Sequence, residues 1–168
     1  MKDQKTLERI AFLHPKLRDE AFAIYDEIVS SLKGKAICRF AFTFRTFAEQ
    51  DALYAQGRTK PGNIVTKAKG GQSYHNYGLA IDVVLLIDKD GNGTFETASW
   101  DTKTDFDGDK KADWQEIVAI FKRYGWEWGG DWKFVDAPHF QKKLGKSIME
   151  LQQLHKTDKV DKNGFVLI

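Results

Sequence analysis

The run IDVVLLI, residues 81–87, is apolar except for Asp82 and is followed at once by the polar stretch Asp88-Lys89-Asp90-Gly91. Seven residues rich in Ile, Val and Leu and bounded by turn-forming residues read as a short buried strand. A second run, AICRFAFTF at 36–44, is aromatic and β-favouring and reads as another largely buried strand. Helical signals surround them. Pro15 suits the first position of a helix, Leu17, Ala21, Ile24 and Ile28 recur on one face, and Gly34 ends the segment. Thr46 and Glu49 have capping-box spacing for a helix stopping near Gly57. Asp113 and Glu116 are placed to cap a helix through Ile117, Phe121 and Tyr124, closed by Gly125. Ser147 and Glu150 open a last helix before a polar tail. Lys60–Gly71, with Pro61, Gly62, Gly70 and Gly71, is a loop. Two clear strands, irregularly spaced, are too few for a doubly wound sheet. The expectation is therefore an α+β fold: a small, mostly antiparallel sheet with packed helices in a single domain. That domain is expected over residues 1–155, with an acidic insert at 88–113 and a C-terminal tail at 156–168.

A chain of 168 residues with 42% hydrophobic content can bury one sizeable core. Its single cysteine, Cys38, lies inside the first apolar run, so it packs as a small hydrophobe and no internal disulfide can form. The first ten residues, MKDQKTLERI, lack the apolar core of a signal peptide, and no run approaches transmembrane length. Synthesis in the cytoplasm without a signal peptide, no stable membrane association and a monomer are expected. The formal charge of +2 is unevenly spread. Between Asp88 and Asp113 eight acids face four lysines, a net of −4, which leaves +6 for the rest. That basic remainder suits an anionic polymer. Aromatics do not alternate with Arg or Lys in a base-reading pattern, so nucleic acid is not expected as a partner.

Three residues carry the chemistry. His75 and Asp82 lie seven positions apart, beside the 81–87 strand, and VDAPHFQ at 135–141 supplies His139 behind a stiffening Pro138. Two imidazoles and one carboxylate are the donor set of a catalytic zinc, which leaves a fourth position for water. Asp136, three residues before His139, is then a spare acid able to take a proton and return it to a leaving amine. Taken singly, each residue has a plainer role: a lone histidine is usually a surface or satisfied core residue, and Asp136 could be a turn residue ahead of Pro138. Arg45 sits where the first strand meets the next helix, an exposed edge suited to a fixed guanidinium; the plain alternative is a surface ion pair. Gln50, Ser73 and Trp132 are candidate substrate contacts. Of Trp126, Trp128 and Trp132, at least one is expected in the core.

The acidic insert carries a separate pattern. DFDGDKKADWQE, 105–116, places Asp105, Asp107, Asp109, Asp113 and Glu116 at positions 1, 3, 5, 9 and 12 of an EF-hand loop, with Lys110 where that loop has glycine. The preceding DKDGNGTFETAS, 88–99, has Gly93 at the sixth position but ends on Ser99, a poor bidentate ligand. These five acids are candidate calcium ligands; the alternative is a solvated acidic excursion.

SYHNYGLAIDVV resembles the S-x-H-x-x-G-x-A-x-D signature of the VanY-like D-Ala-D-Ala carboxypeptidase superfamily of zinc peptidases, and DAPHF resembles its acid-x-P-H signature. The stretches FRTFAEQDALYAQGR (44–58), ADWQEIVAIFKRYGWEWGGDWKFVDAPHFQ (112–141) and SIMELQQL are closer to its L-alanyl-D-glutamate endopeptidase branch, found in phage endolysins and bacterial cell-wall hydrolases. The resemblance spans roughly residues 5–155. It implies Zn²⁺ on His75, Asp82 and His139, Asp136 as catalytic base and Arg45 holding a substrate carboxylate or carbonyl. The reaction it implies is hydrolysis of the L-Ala–D-Glu bond in peptidoglycan stem peptides, in a single catalytic domain. A phage endolysin is the implied setting, reaching the cell wall after the host membrane is permeabilised. Some phage enzymes of this branch respond to calcium in an equivalent loop. Two other readings stand beside it: a D,D-carboxypeptidase using the same metal and base, and a non-catalytic wall-binding module with a structural zinc.

Overall fold

A computed structural model describes residues 2–168. Five strands form one antiparallel sheet: β1 (Ala36–Phe42), β2 (Ala80–Ile87), β3 (Thr97–Ser99), β4 (Glu127–Trp128) and β5 (His139–Gln141). The long β2 pairs with β1 along one edge. Its other edge is shared, with β5 on residues 80–82 and β3 on 85–87. β4 extends the sheet beyond β5. Five helices surround it: α1 (Gln4–Ile10), α2 (Arg18–Ser31), α3 (Phe47–Ala55), α4 (Asp113–Arg123) and α5 (Ile148–Lys156). This is the expected α+β architecture in a single domain.

The period-two alternation of strands sorts the side chains. Ile81, Val83, Leu85 and Ile87 of β2 join Ala36, Cys38 and Phe40 of β1 and Phe140 of β5 in one buried cluster with α2 and α4. Phe121 of α4 stacks on Phe140, with centroids 4.1 Å apart, and also reaches Phe40 at 5.9 Å. Burying side chains of this size contributes about 1.5–3 kcal/mol each. The Cys38 thiol is in this cluster, and burial pushes its pKa up. The intervening residues Ala80, Asp82, His139 and Gln141 therefore face the other side. A register shift between Phe40 and Phe42 sets Phe42 opposite Asp82, a local bulge at the rim of the site.

Several elements differ from the sequence reading. Residues Pro15–Leu17 form a 3₁₀ turn and the α-helix starts at Arg18. The helix α1 was not expected; Asp3 caps it by accepting from the Thr6 amide, and Arg39 clamps the same carboxylate at 2.7 and 3.1 Å. The first strand stops at Phe42 rather than 44. Strands β3, β4 and β5 have two or three residues each, too short for any periodicity to show. Asp113 and Glu116 do not cap α4: the cap position is Ala112, without a side-chain hydrogen bond. Asp113 accepts instead from the Phe106 amide and Glu116 from the Ser31 hydroxyl. After α5 the chain turns back through a Val160–Val166 bridge, burying Val166 and bringing its carbonyl within 2.9 Å of His14 Nε2.

Gly78 joins the site to this frame. It sits at φ +68° after the 3₁₀ turn Tyr74–Tyr77, and its carbonyl accepts from the His14 amide at 2.9 Å. A Cβ there would lie 2.5 Å from that same His14 nitrogen. Gly145 has a similar φ of +74° with open space around it. Left-handed strain alone is worth about 1–2 kcal/mol. In urea unfolding, Gly145→Ala is expected to cost about that much and Gly78→Ala about 3 kcal/mol or more, the clash being added to the strain.

Candidate metal centre

Local structure explains how the histidine of the first motif is aimed. Ser73 caps the Tyr74–Tyr77 turn, its hydroxyl accepting from the His75 amide, and Asn76 closes the capping box. Asn76 also donates to the Arg45 carbonyl at 2.8 Å, while the Arg45 amide donates to the His75 carbonyl at 3.0 Å. The turn and the exit of β1 are thereby locked together. The His75 ring is buried, with Nδ1 2.8 Å from the Thr43 carbonyl and Nε2 3.1 Å from Asp82 Oδ1.

The second histidine arrives by sheet pairing. Asp82 and His139 are direct cross-strand partners in β2 and β5. His139 Nδ1 lies 3.1 Å from the same Asp82 Oδ1, and the two imidazole centroids are 5.0 Å apart at 75°. One ligand atom from each of His75, Asp82 and His139 falls within 4.8 Å of the others. This is a cluster able to coordinate a divalent metal ion. Burial opposes ionisation of Asp82, but the charge of His75 and the hydrogen bonds from both histidines hold its carboxyl far below the usual carboxylate range. Burial likewise works against a protonated His139, yet the Asp82 bond and charge raise its pKa overall.

Around the cluster opens a cleft of about 530 Å³, walled by Arg45, Ser73, Trp132, Asp136 and the loop residues Val65, Thr66 and Ala68. Arg45 Nη2 is 3.8 Å from Asp82 Oδ2. Asp136 lines the same cleft. Desolvation and the Asp82 carboxylate raise its pKa against the pull of His139, His75 and Arg45. Its backbone is seated against Gly129, whose carbonyl accepts from the Asp136 amide at 2.9 Å. A Cβ on Gly129 would come 2.3 Å from the Asp136 oxygen, so only glycine allows this approach. The Trp132 ring is 5.2 Å from that of His139. Trp126 is core, and Trp128 packs against the core while donating to the Ala137 carbonyl at 2.7 Å.

Gln50 does not contact the cleft as a substrate ligand would. It is 1% exposed and fully engaged, accepting from Arg45 Nη1 at 3.0 Å and donating to the Ala68 carbonyl at 2.8 Å. It fixes the guanidinium and the cleft loop instead. Sequence reasoning passed over Thr43, Gly129 and Gln141. Thr43 acts through its carbonyl, to which its side-chain identity gives no clue. Gln141 accepts at Oε1 from His139 Nε2, 2.9 Å away, and its place two residues after His139 on a strand could have signalled a shared face.

The acidic insert gathers its five acids into two groups that share Asp107: Asp105, Asp107 and Asp113, then Asp107, Asp109 and Glu116. Lys110 takes φ +75°, the left-handed conformation that the sixth-position glycine would adopt. Asp113 Oδ2 and Glu116 Oε2 are buried without a hydrogen-bond partner. In the preceding loop, Asp88 accepts from the amides of Gly91, Asn92 and Gly93.

A family model described as D-alanyl-D-alanine carboxypeptidase matches residues 66–142, from the cleft loop through β5. The peptidoglycan L-alanyl-D-glutamate endopeptidase CwlK of Bacillus subtilis (strain 168) is 49% identical over 130 residues, 77% of this chain and 72% of that protein. The L-alanyl-D-glutamate peptidase of Listeria phage A118 is 35% identical over 94 residues, 53% of this chain and 29% of that protein. Among solved structures, the L-Ala D-Glu endopeptidase ChiX of Serratia marcescens has the same fold, with a TM-score of 0.52 at 20% identity over 82% of this chain and 86% of that one. With half of its aligned residues shared across most of CwlK, the chain belongs to the D-alanyl-D-alanine carboxypeptidase-like peptidase superfamily, in its L-alanyl-D-glutamate endopeptidase branch.

Proposed function

We propose that the protein is a zinc-dependent peptidoglycan endopeptidase that hydrolyses the L-Ala–D-Glu bond of stem peptides. The observation that carries this reading is the convergence of His75 Nε2, His139 Nδ1 and Asp82 Oδ1 on one point of a cleft that also holds Asp136 and Arg45. Metal–ligand bonds of about 2.0–2.1 Å put the donors of a tetrahedral zinc roughly 3.3 Å apart. The two 3.1 Å separations between Asp82 Oδ1 and the imidazole nitrogens are close to that spacing. When bound, zinc supplies Lewis acidity toward a carbonyl and toward water.

The rest of the work falls to the chain. Asp136 is the proton carrier: with its pKa raised by desolvation, it can accept a proton from water and release it to the departing amine. Arg45, held by Gln50, offers a fixed cation where negative charge develops or where a stem-peptide carboxylate must be oriented. Such a substrate makes the cell wall the place of action. The description of the matching family model keeps a D,D-carboxypeptidase as the second reading.

Mass spectrometry of digested muropeptides separates the two. Release of stem peptides that begin at D-Glu is expected, and loss of a single terminal D-Ala would instead favour the carboxypeptidase. Asp136→Ala should lower turnover about 10²–10⁴-fold while the purified protein keeps its zinc, as read by metal analysis. Full hydrolysis by that variant would rule out Asp136 as the proton carrier.

We also infer that the insert binds Ca²⁺ through Asp105, Asp107, Asp109, Asp113 and Glu116. The EF-hand spacing, the left-handed Lys110 and the two buried oxygens without partners support it. The linkage has a definite sign. Burial first, then the charges of Asp107, Glu116 and Asp105, raise the Asp113 pKa. Without the ion, stability is therefore full below the ordinary carboxylate pKa and declines as pH rises through the raised value of Asp113. A cation relieves that loss. Calcium should raise Tm most near pH 7, the gain shrinking as pH falls through the Asp113 pKa, and Glu116→Gln should reduce it. A Tm indifferent to calcium at pH 7 leaves a solvated acidic loop.

A further inference from the structure

The two imidazoles of the cluster are held from behind in different ways. His75 Nδ1 faces the Thr43 carbonyl at 2.8 Å, and a carbonyl can only accept, so the proton is fixed there and Nε2 is left for the cluster. His139 faces a side-chain amide instead, with Nε2 2.9 Å from Gln141 Oε1. An amide can turn over. Reversed, it would present N–H to Nε2 and draw the imidazole proton to Nδ1, the atom 3.1 Å from Asp82. The next residue in the chain of contacts removes that choice. Gln141 Nε2 donates to Glu127 Oε2 at 2.9 Å, and Glu127 Oε1 pairs with Lys143 Nζ at 2.9 Å. A carboxylate accepts only, so the amide NH₂ must face Glu127 and the carbonyl must face His139. Sheet register enforces the contact: Glu127 and Gln141 are cross-strand partners in β4 and β5, and Gln141 is 6% exposed.

We propose that Gln141 is a positioning residue that sets the tautomer of His139, its own orientation being set by the Glu127–Lys143 pair, so that Nδ1 presents a lone pair to the metal. Partners behind ligating histidines tune affinity in this way. This role for Gln141 rests on the metal-dependent reading of the site.

The test is zinc affinity, measured by competition with a chromogenic chelator, together with long-range ¹H–¹⁵N correlation spectra of the zinc-loaded protein to read the His139 Nε2–H that Gln141 accepts. Gln141→Leu should weaken zinc about 10–100-fold. Glu127→Ala, at a solvent-facing side chain, should weaken it several-fold and shift the His139 Nε2–H resonance of the zinc-loaded protein upfield as its hydrogen bond to Gln141 loosens. The exchange Gln141→Glu with Glu127→Gln should recover most of the affinity, because a carboxylate at 141 still accepts from His139 and an amide at 127 can donate to it. Unchanged zinc affinity and an unchanged His139 Nε2–H resonance in Glu127→Ala, or an exchange variant no better than a folded Gln141→Leu, would overturn the proposal. If the wild type itself takes up no zinc, the metal-dependent reading falls and this inference with it. Normal uptake by the wild type with indifferent variants overturns only the inference.

Discussion

The antiparallel pairing of β2 with β5 sets His139 directly opposite Asp82, and most of the molecule serves to keep that pair in place. Strand alternation makes the core and the site two faces of one object: Ile81 and Phe140 turn inward while Asp82 and His139 turn outward. A one-residue slip in this register would turn the carboxylate into the apolar core and the phenyl ring out of it, so hydrophobic burial itself enforces the geometry of the cluster. Phe121, stacked on Phe140, makes the link concrete. The same carboxylate is then shared between two imidazoles, and His75 is brought to it by a short capped turn rather than by the sheet.

The candidate metal cluster was legible because chemistry restricts such donors to few residue types at motif spacing, and His75, Asp82, His139 and Asp136 all line one cleft. What surrounds them was less legible. The acceptor behind His75 is a backbone carbonyl, and the acceptor behind His139 depends on strands too short to show a pattern. Gln50 illustrates a different limit: sequence marked it as polar near the site, whereas its neighbours Arg45, Thr66 and Ala68 decide that it faces inward. The helices with a complete capping box, α3 and α5, began where Thr46 and Ser147 indicated. In α4 the expected capping acid was diverted to the insert, since a buried carboxylate there bonds the Phe106 amide and meets other acids.

The insert and the cleft use carboxylates in opposite ways. At the cleft, Asp82 is stabilised as an anion by the cationic character of its neighbours. In the insert, Asp113 is buried among its own kind and its anion is disfavoured. The insert rests on the end of α2 and the segment after it through Ser31 and Lys33. Its acids are therefore coupled to the packing of α2 on α4, the helices that carry the inner face of the sheet.

Cys38, sealed in that inner face with its thiolate disfavoured, has one further consequence. No covalent cross-link enters the fold, and the one sulfur able to form a bond is out of reach of oxidants and of other thiols. The native state is thus redox-neutral. Neither a reducing nor an oxidising medium therefore alters the covalent state of the fold.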